Sequence, residues 1–134
     1  MTRTRQVEGG PATAVDIVGY DVPPAGAAGD VSTPAANTIA EIAYPRPGIY
    51  SYHAISGVAW SYDGQIAGGN LQIVDEYLGV TFDIDIINSG LGLITFPVPK
   101  RSSLNATMTI LLAAGGAGVN GKLNVLTHWI ESIK

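Results

Sequence analysis

After Pro47 the chain alternates apolar and polar residues with a period of two, in stretches separated by glycine-rich turns. Tyr50 to Tyr62 (YSYHAISGVAWSY) is rich in aromatic and β-branched residues, and a strand there places Val58, Trp60 and Tyr62 on one face. Gly57 in its middle predicts a bulge or a close backbone approach. Asp63 to Asn70 reads as a turn and Leu71 to Val74 as a short strand. In the next strand Val80, Phe82, Ile84 and Ile86 face one way, while Thr81, Asp83 and Asp85 face the other, which suits a strand with one wet side. Asn88-Ser-Gly-Leu-Gly turns the chain into Leu93 to Phe96, a strand expected to end at Pro97-Val-Pro99. Thr107 to Ala113 follows with Met108, Ile110 and Leu112 inward, then a glycine turn over Ala114 to Gly121. In the last segment Val125, Leu126, Trp129, Ile130 and Ile133 fit helical spacing as well as a two-sided strand, and the β-rich context favours the strand.

The first third is different. Pro11, Pro23, Pro24, Pro34, Pro45 and Pro47 crowd it, and residues 22–36 are small and turn-rich with no helical stripe. Proline fixes φ and lacks an N–H, so this segment suits neither a central strand nor a long helix. Residues 1–36 therefore read as an extended Pro/Ala/Gly-rich arm with at most one short strand, at Val15, Ile17 and Val18. Thr38 to Tyr44, with Ala40, Ile42 and Tyr44 on one face, opens the folded domain at residues 37–134. Seven or eight short strands without a convincing helix predict an all-β, jelly-roll-like antiparallel β-sandwich, with a small antiparallel barrel as the alternative.

Composition narrows the function. The 134 residues contain 17 Gly, 8 Pro and no Cys, which excludes disulfide and thiol chemistry. Lys and Arg number 7 against 11 Asp and Glu, and a net charge of −4 argues against a general nucleic-acid binder. No apolar run approaches the ~20 residues that span a bilayer, and no apolar stretch follows the basic start Met1-Thr-Arg-Thr-Arg, so neither a membrane span nor a secretory leader is expected. Only 13% of residues are charged against 46% hydrophobic, so the surface is poor in groups that cost much to desolvate. That composition suits assembly with other proteins.

The motifs that suggest catalysis fail on chemistry. Gly116-Ala-Gly-Val-Asn-Gly121-Lys122 matches part of a phosphate-binding loop, but Leu123 stands where a hydroxyl must hold magnesium. Asp83 and Asp85 lie ~7 Å apart by strand rise, a separation compatible with a carboxylate pair or a cation, yet on an open polar face that reads as the wet side of an edge or outer strand. His53 and His128 sit in separate strands without a His or Cys at metal-ligand spacing. No catalytic, cofactor or metal residues are therefore assigned. Trp60 and Tyr62 read as core, whereas Tyr50 and Tyr52 are candidates for partner binding. Arg3 and Arg5 form a small basic tip suited to an acidic neighbour.

Roughly residues 50 to 125 resemble a group of small tailed-phage proteins, the capsid decoration or cement proteins built on a jelly roll. The resemblance is carried by Gly57-Val-Ala-Trp-Ser-Tyr62, Gly68-Gly-Asn-Leu71, Phe82-Asp-Ile-Asp-Ile86, Gly90-Leu-Gly-Leu-Ile-Thr-Phe96 and Ala113 to Val125 (AAGGAGVNGKLNV). All are strand-and-turn signatures and none is catalytic. The resemblance implies a non-enzymatic virion protein, made in the host cytoplasm. It would sit on the capsid surface, bind the major capsid protein, and act as a homo-oligomer, with a trimer favoured. A receptor- or glycan-binding jelly-roll module of a tail spike or fibre is the alternative that the same fold allows.

Overall fold

The computed structural model describes residues 28–66, 68–86 and 91–133. Eight strands follow one another: β1 (Ala28–Ser32), β2 (Ala40–Tyr44), β3 (Ser51–Tyr62), β4 (Asn70–Asp75), β5 (Gly79–Asp85), β6 (Leu91–Arg101), β7 (Met108–Leu112) and β8 (Gly121–Ser132). They form two four-stranded antiparallel sheets, ordered β1-β8-β3-β6 and β2-β7-β4-β5. First pairs with last, second with seventh, third with sixth and fourth with fifth. This is the pairing of a long hairpin folded over on itself, and it makes the described residues an eight-stranded jelly roll. The last segment, open between helix and strand on periodicity, is the strand β8.

Cross-strand rows build the core. In one sheet Ile42, Ile110, Ile73 and Phe82 stand side by side, with Ala40, Leu112, Leu71 and Ile84 in the next row. In the other, Val125 pairs with Val58 and Leu123 with Trp60. These apolar rows face one another across the sandwich, and all but the edge residues Phe82 and Ile84, which are half-buried, lose nearly all contact with water, the main favourable term in the fold. Phe82 meets Phe96 edge-on at 5.3 Å, closing one open side of the sandwich.

Two bulges decide which residues reach this core. Ile55 and Val58 are three apart, yet both belong to it, so the alternation inverts between them. The β3–β6 register shifts at this point, while the β3–β8 register on either side is unchanged. Gly57 makes the inversion sterically possible, since a Cβ there would lie 2.4 Å from the Ile94 carbonyl oxygen. A second register shift lies between Ile73 and Val74, where β5 carries one extra residue. It turns Val80 outward, 51% exposed, so Val80 does not share the inner face with Phe82 and Ile84 as its spacing predicts.

Two other expectations are corrected. Pro97 and Pro99 do not end their strand, because β6 continues to Arg101. Strand β6 is at the sheet edge, and residues 96–99 lie opposite the register shift at Ile55/Gly57, where no ladder bond is required of them. Within the segment read as an arm, Ala28–Ser32 is a sheet strand, and it too lies at an edge, with β8 as its single partner. The strand expected at residues 15–18 and the rest of the arm lie outside the described residues.

Trp60 packs flat over Gly92, where a Cβ would come within 2.0 Å of the indole Cζ2. A Gly92→Ala substitution is expected to destabilise the fold by about 1–3 kcal/mol through overpacking. Urea unfolding checks this, and an unchanged midpoint would contradict the packing described.

Candidate binding surface at one end of the sandwich

One end of the jelly roll gathers the β2–β3 loop (residues 45–50), the β4–β5 turn (76–78), the β6–β7 loop (102–107) and residue 133, which follows β8. Polar groups tie these segments together. Asp75 is nearly inaccessible and accepts four hydrogen bonds, from the Ser103 amide at 2.6 Å, the Ser103 hydroxyl at 2.8 Å, and the Tyr77 and Leu78 amides at 3.0 Å each. Burial alone would raise its pKa, but the bonds from Ser103, Leu78 and Tyr77 outweigh that and hold it below the ordinary carboxylate value. Glu76 takes a two-pronged contact from Arg46 and the Thr107 amide at 3.0 Å, and these hold its carboxyl at about 2. Asn105, with φ 50°, accepts from the Gly48 amide at 3.1 Å and donates its own amide to the Ser51 carbonyl at 2.8 Å. The Ile133 amide reaches the Tyr50 carbonyl at 2.9 Å.

What this rigid frame presents is apolar. Ile49, Tyr50, Tyr77, Leu78, Leu104 and Ile133 all project into solvent from it, Leu78 with 72% of its surface exposed. Turn tips normally carry polar residues. Exposed aliphatic and aromatic tips on hydrogen-bonded loops make this end the candidate contact surface of the described residues. Of these residues only Tyr50 stands out in the sequence. Ile49, Tyr77 and Leu78 fall beside the turn signals Pro47-Gly48 and Gly79, with no periodicity to mark them, and the spacing that includes Ile133 points to a strand or helix face and not to this surface.

Tyr52 is used inside the molecule. With Arg101 and Trp129 it surrounds Glu131, which is 2% exposed and bonds Arg101 Nε at 3.0 Å and Trp129 Nε1 at 2.7 Å. Burial, then its bond to Glu131, pushes the Tyr52 phenol up to about 12. Burial works against the Glu131 carboxylate, but bonds from Arg101, Tyr52 and Trp129 keep its pKa below the ordinary value. Arg3 and Arg5 lie outside the described residues.

The two histidines, separate in sequence, meet between the sheets. His53 Nδ1 lies 2.8 Å from His128 Nε2, and His53 Nε2 lies 2.5 Å from the Pro45 carbonyl oxygen. Tyr44 stacks on His128 at 3.8 Å between centroids, and its hydroxyl donates to Asp30 Oδ2 at 2.6 Å. Burial, reinforced by Asp30, holds the Tyr44 phenol protonated far above its ordinary pKa. Their 75-residue separation hides this pair from any reading of spacing.

The remaining motifs have structural settings. Asp83 and Asp85 are on the exposed face of edge strand β5, where the Asn70 amide donates to both, at 2.7 and 3.0 Å. Among the described residues no group of three His, Asp or Glu side chains is placed to hold a metal ion. The glycine loop turns β7 into β8 with positive φ at Gly116 and Gly118, and Leu123 is core. At the other end a shallow cleft of about 300 Å³ lies beside Tyr62, Asp63, Asn120 and Lys122. Asp63 accepts from the Asn120 amide at 2.7 Å there. No protein-family model matches the chain, and no curated protein matches it in sequence.

Replacing Asp75 by Asn removes the charge that four donors share, and is expected to cost about 1–3 kcal/mol. It should also increase amide exchange in residues 76–78 and 102–105. Stability equal to the parent would show that Asp75 does not hold the loops.

Proposed function

We propose that this protein is a virion structural protein that binds the outer surface of an assembled phage capsid and stabilises it by bridging neighbouring shell subunits. The observation that carries the reading is the clamped apolar loop end on a jelly roll. Its loops are already fixed by Asp75, Glu76 and Asn105, so little conformational entropy remains to be lost on docking. Ile49, Leu78 and Ile133 supply the apolar area. The low charge of the chain and the resemblance of residues 50 to 125 to capsid decoration proteins point the same way.

The role is mechanical. Each copy contacts more than one shell subunit, so the subunits separate only by losing that contact, and binding to the assembled state alone shifts the equilibrium toward it. Assembly of the protein as a homo-oligomer, a trimer in our proposal, multiplies weak contacts through effective concentration. Tyr50 and Tyr77, both exposed at the same end, favour a second reading in which a tail spike or fibre module stacks sugars on this surface.

Quantitative mass spectrometry of purified particles separates the two. A copy number comparable to the major capsid protein is expected, whereas a handful of copies with saturable glycan binding would establish the second reading. A Leu78→Ser, Ile49→Ser double variant should fold as the parent does and bind shells at least tenfold more weakly, about 1.4 kcal/mol. Unchanged binding would remove the loop end from the mechanism.

A further inference from the structure

Asp30, Tyr44, His53 and His128 come from β1, β2, β3 and β8, so this cluster joins both sheets. The Pro45 carbonyl can only accept, so His53 Nε2 carries hydrogen and His53 Nδ1 offers its lone pair to His128 Nε2–H. The neutral pair thus holds one bridging hydrogen. A first added proton leaves a bridge and brings a full charge between the sheets. A second abolishes the bridge, because both facing nitrogens then carry hydrogen. The charged groups nearby are already engaged. Asp30 from β1 accepts from Tyr44 of β2, and Arg46, beyond Pro45, is bound to Glu76. Arg101 of β6 and Tyr52 of β3 close on Glu131 of β8.

His53 also roots two of the loops. Its ring holds Pro45, where the β2–β3 loop begins. Its main chain donates to Ser102 Oγ and accepts from the Ser102 amide, both at 2.9 Å, where the β6–β7 loop begins. We propose that the His53–His128 pair is an acid-sensitive latch. When neutral it fixes the roots of these two loops. When both rings are protonated the bridge is lost, and repulsion between the two charges loosens these roots and the apolar end, while the β2-β7-β4-β5 sheet stays paired. The inference concerns the free protein and stands whether or not that end meets a capsid.

Burial lowers the pKa of His53, and burial followed by the neighbouring His53 lowers His128 to about 4. Both fall below the ordinary 6.5 of a free imidazole. The stabilisation is therefore complete above about pH 6.5 and is lost as pH falls toward about 4, by at most tenfold in the equilibrium constant per pH unit and histidine. The stabilisation from the depressed carboxylates Glu76, Asp75 and Glu131 is lost only as pH falls below their ordinary values of 4.5, 3.8 and 4.5, beneath the range of the test.

Hydrogen exchange followed by mass spectrometry, corrected for the intrinsic pH dependence of exchange, tests the latch between about pH 7 and pH 4.5. Protection in residues 45–51 and 102–107 should fall about tenfold or more, with β4 and β7 unchanged. His128→Gln keeps an N–H donor and leaves His53 as the one titrating ring of the pair, so its fall in protection should be clearly smaller than the parent's. Constant loop protection in the parent, a uniform loss that includes β4 and β7, or the same fall in the variant would overturn the proposal. Ring titration of the parent by NMR provides a test that needs no variant. Midpoints of both rings below 6.5, with His128 near 4, support the latch, and an ordinary midpoint near 6.5 at either ring contradicts it.

Discussion

The two longest strands change face together, and the loop end depends on that change. Between Ile55 and Val58 the alternation of β3 inverts while its pairing with β8 stays in register, so both strands turn over as one ribbon. A single-strand bulge would have shifted the ladder and broken the pairing of Ser51 to Ala54 with Trp129 to Ser132. Gly57 permits the turnover because the Ile94 carbonyl needs the space a Cβ would take. On one side of this point Val58 and Trp60 pack against Val125 and Leu123 in an ordinary aliphatic core. On the other, His53 and His128 meet Tyr44, and Tyr52 closes over Glu131 with Arg101.

Beyond that point the protein fastens itself with polar groups. A chain with 13% charged residues has few ions to spend, and it places several of them in closed clusters where each is satisfied. Asp75 receives four donors, Glu131 receives Arg101 and Trp129, and Glu76 receives Arg46 and Thr107. A buried carboxylate without such partners would be strongly destabilising. With them it becomes a clamp that joins loops far apart in sequence. Because the clamps take the polar groups inward, the tips of the same loops are left to Ile49, Leu78 and Leu104. Rigidity and apolar exposure at this end thus have one origin.

Most of the sheet architecture was legible in the chain, because an alternating strand reports its own buried face. Ala40, Ile42 and Tyr44, then Met108, Ile110 and Leu112, alternate in the structure as their spacing requires, and Gly57 marks the bulge. Edge positions were harder to read. Pro97 and Pro99 signal the end of a strand only if that strand needs partners on both sides, and β6 does not. Val80 fails for a related reason, since one inserted residue reverses the phase of everything before it.

Local order alone therefore determined the alternating strands such as β2, β4 and β7 and the glycine turns between them, since each follows from residues a few positions apart, and the small charge content is set by composition. Tertiary structure decided what meets what. His53 finds His128 across 75 residues, Ser103 finds Asp75 across 28, and Arg101 finds Glu131 across 30. No periodicity carries such pairings, because they depend on which strands become neighbours when the long hairpin folds over. The apolar loop end belongs to the same class, since Ile49, Leu78, Leu104 and Ile133 form one surface only after four separate segments are brought to the same end of the sandwich.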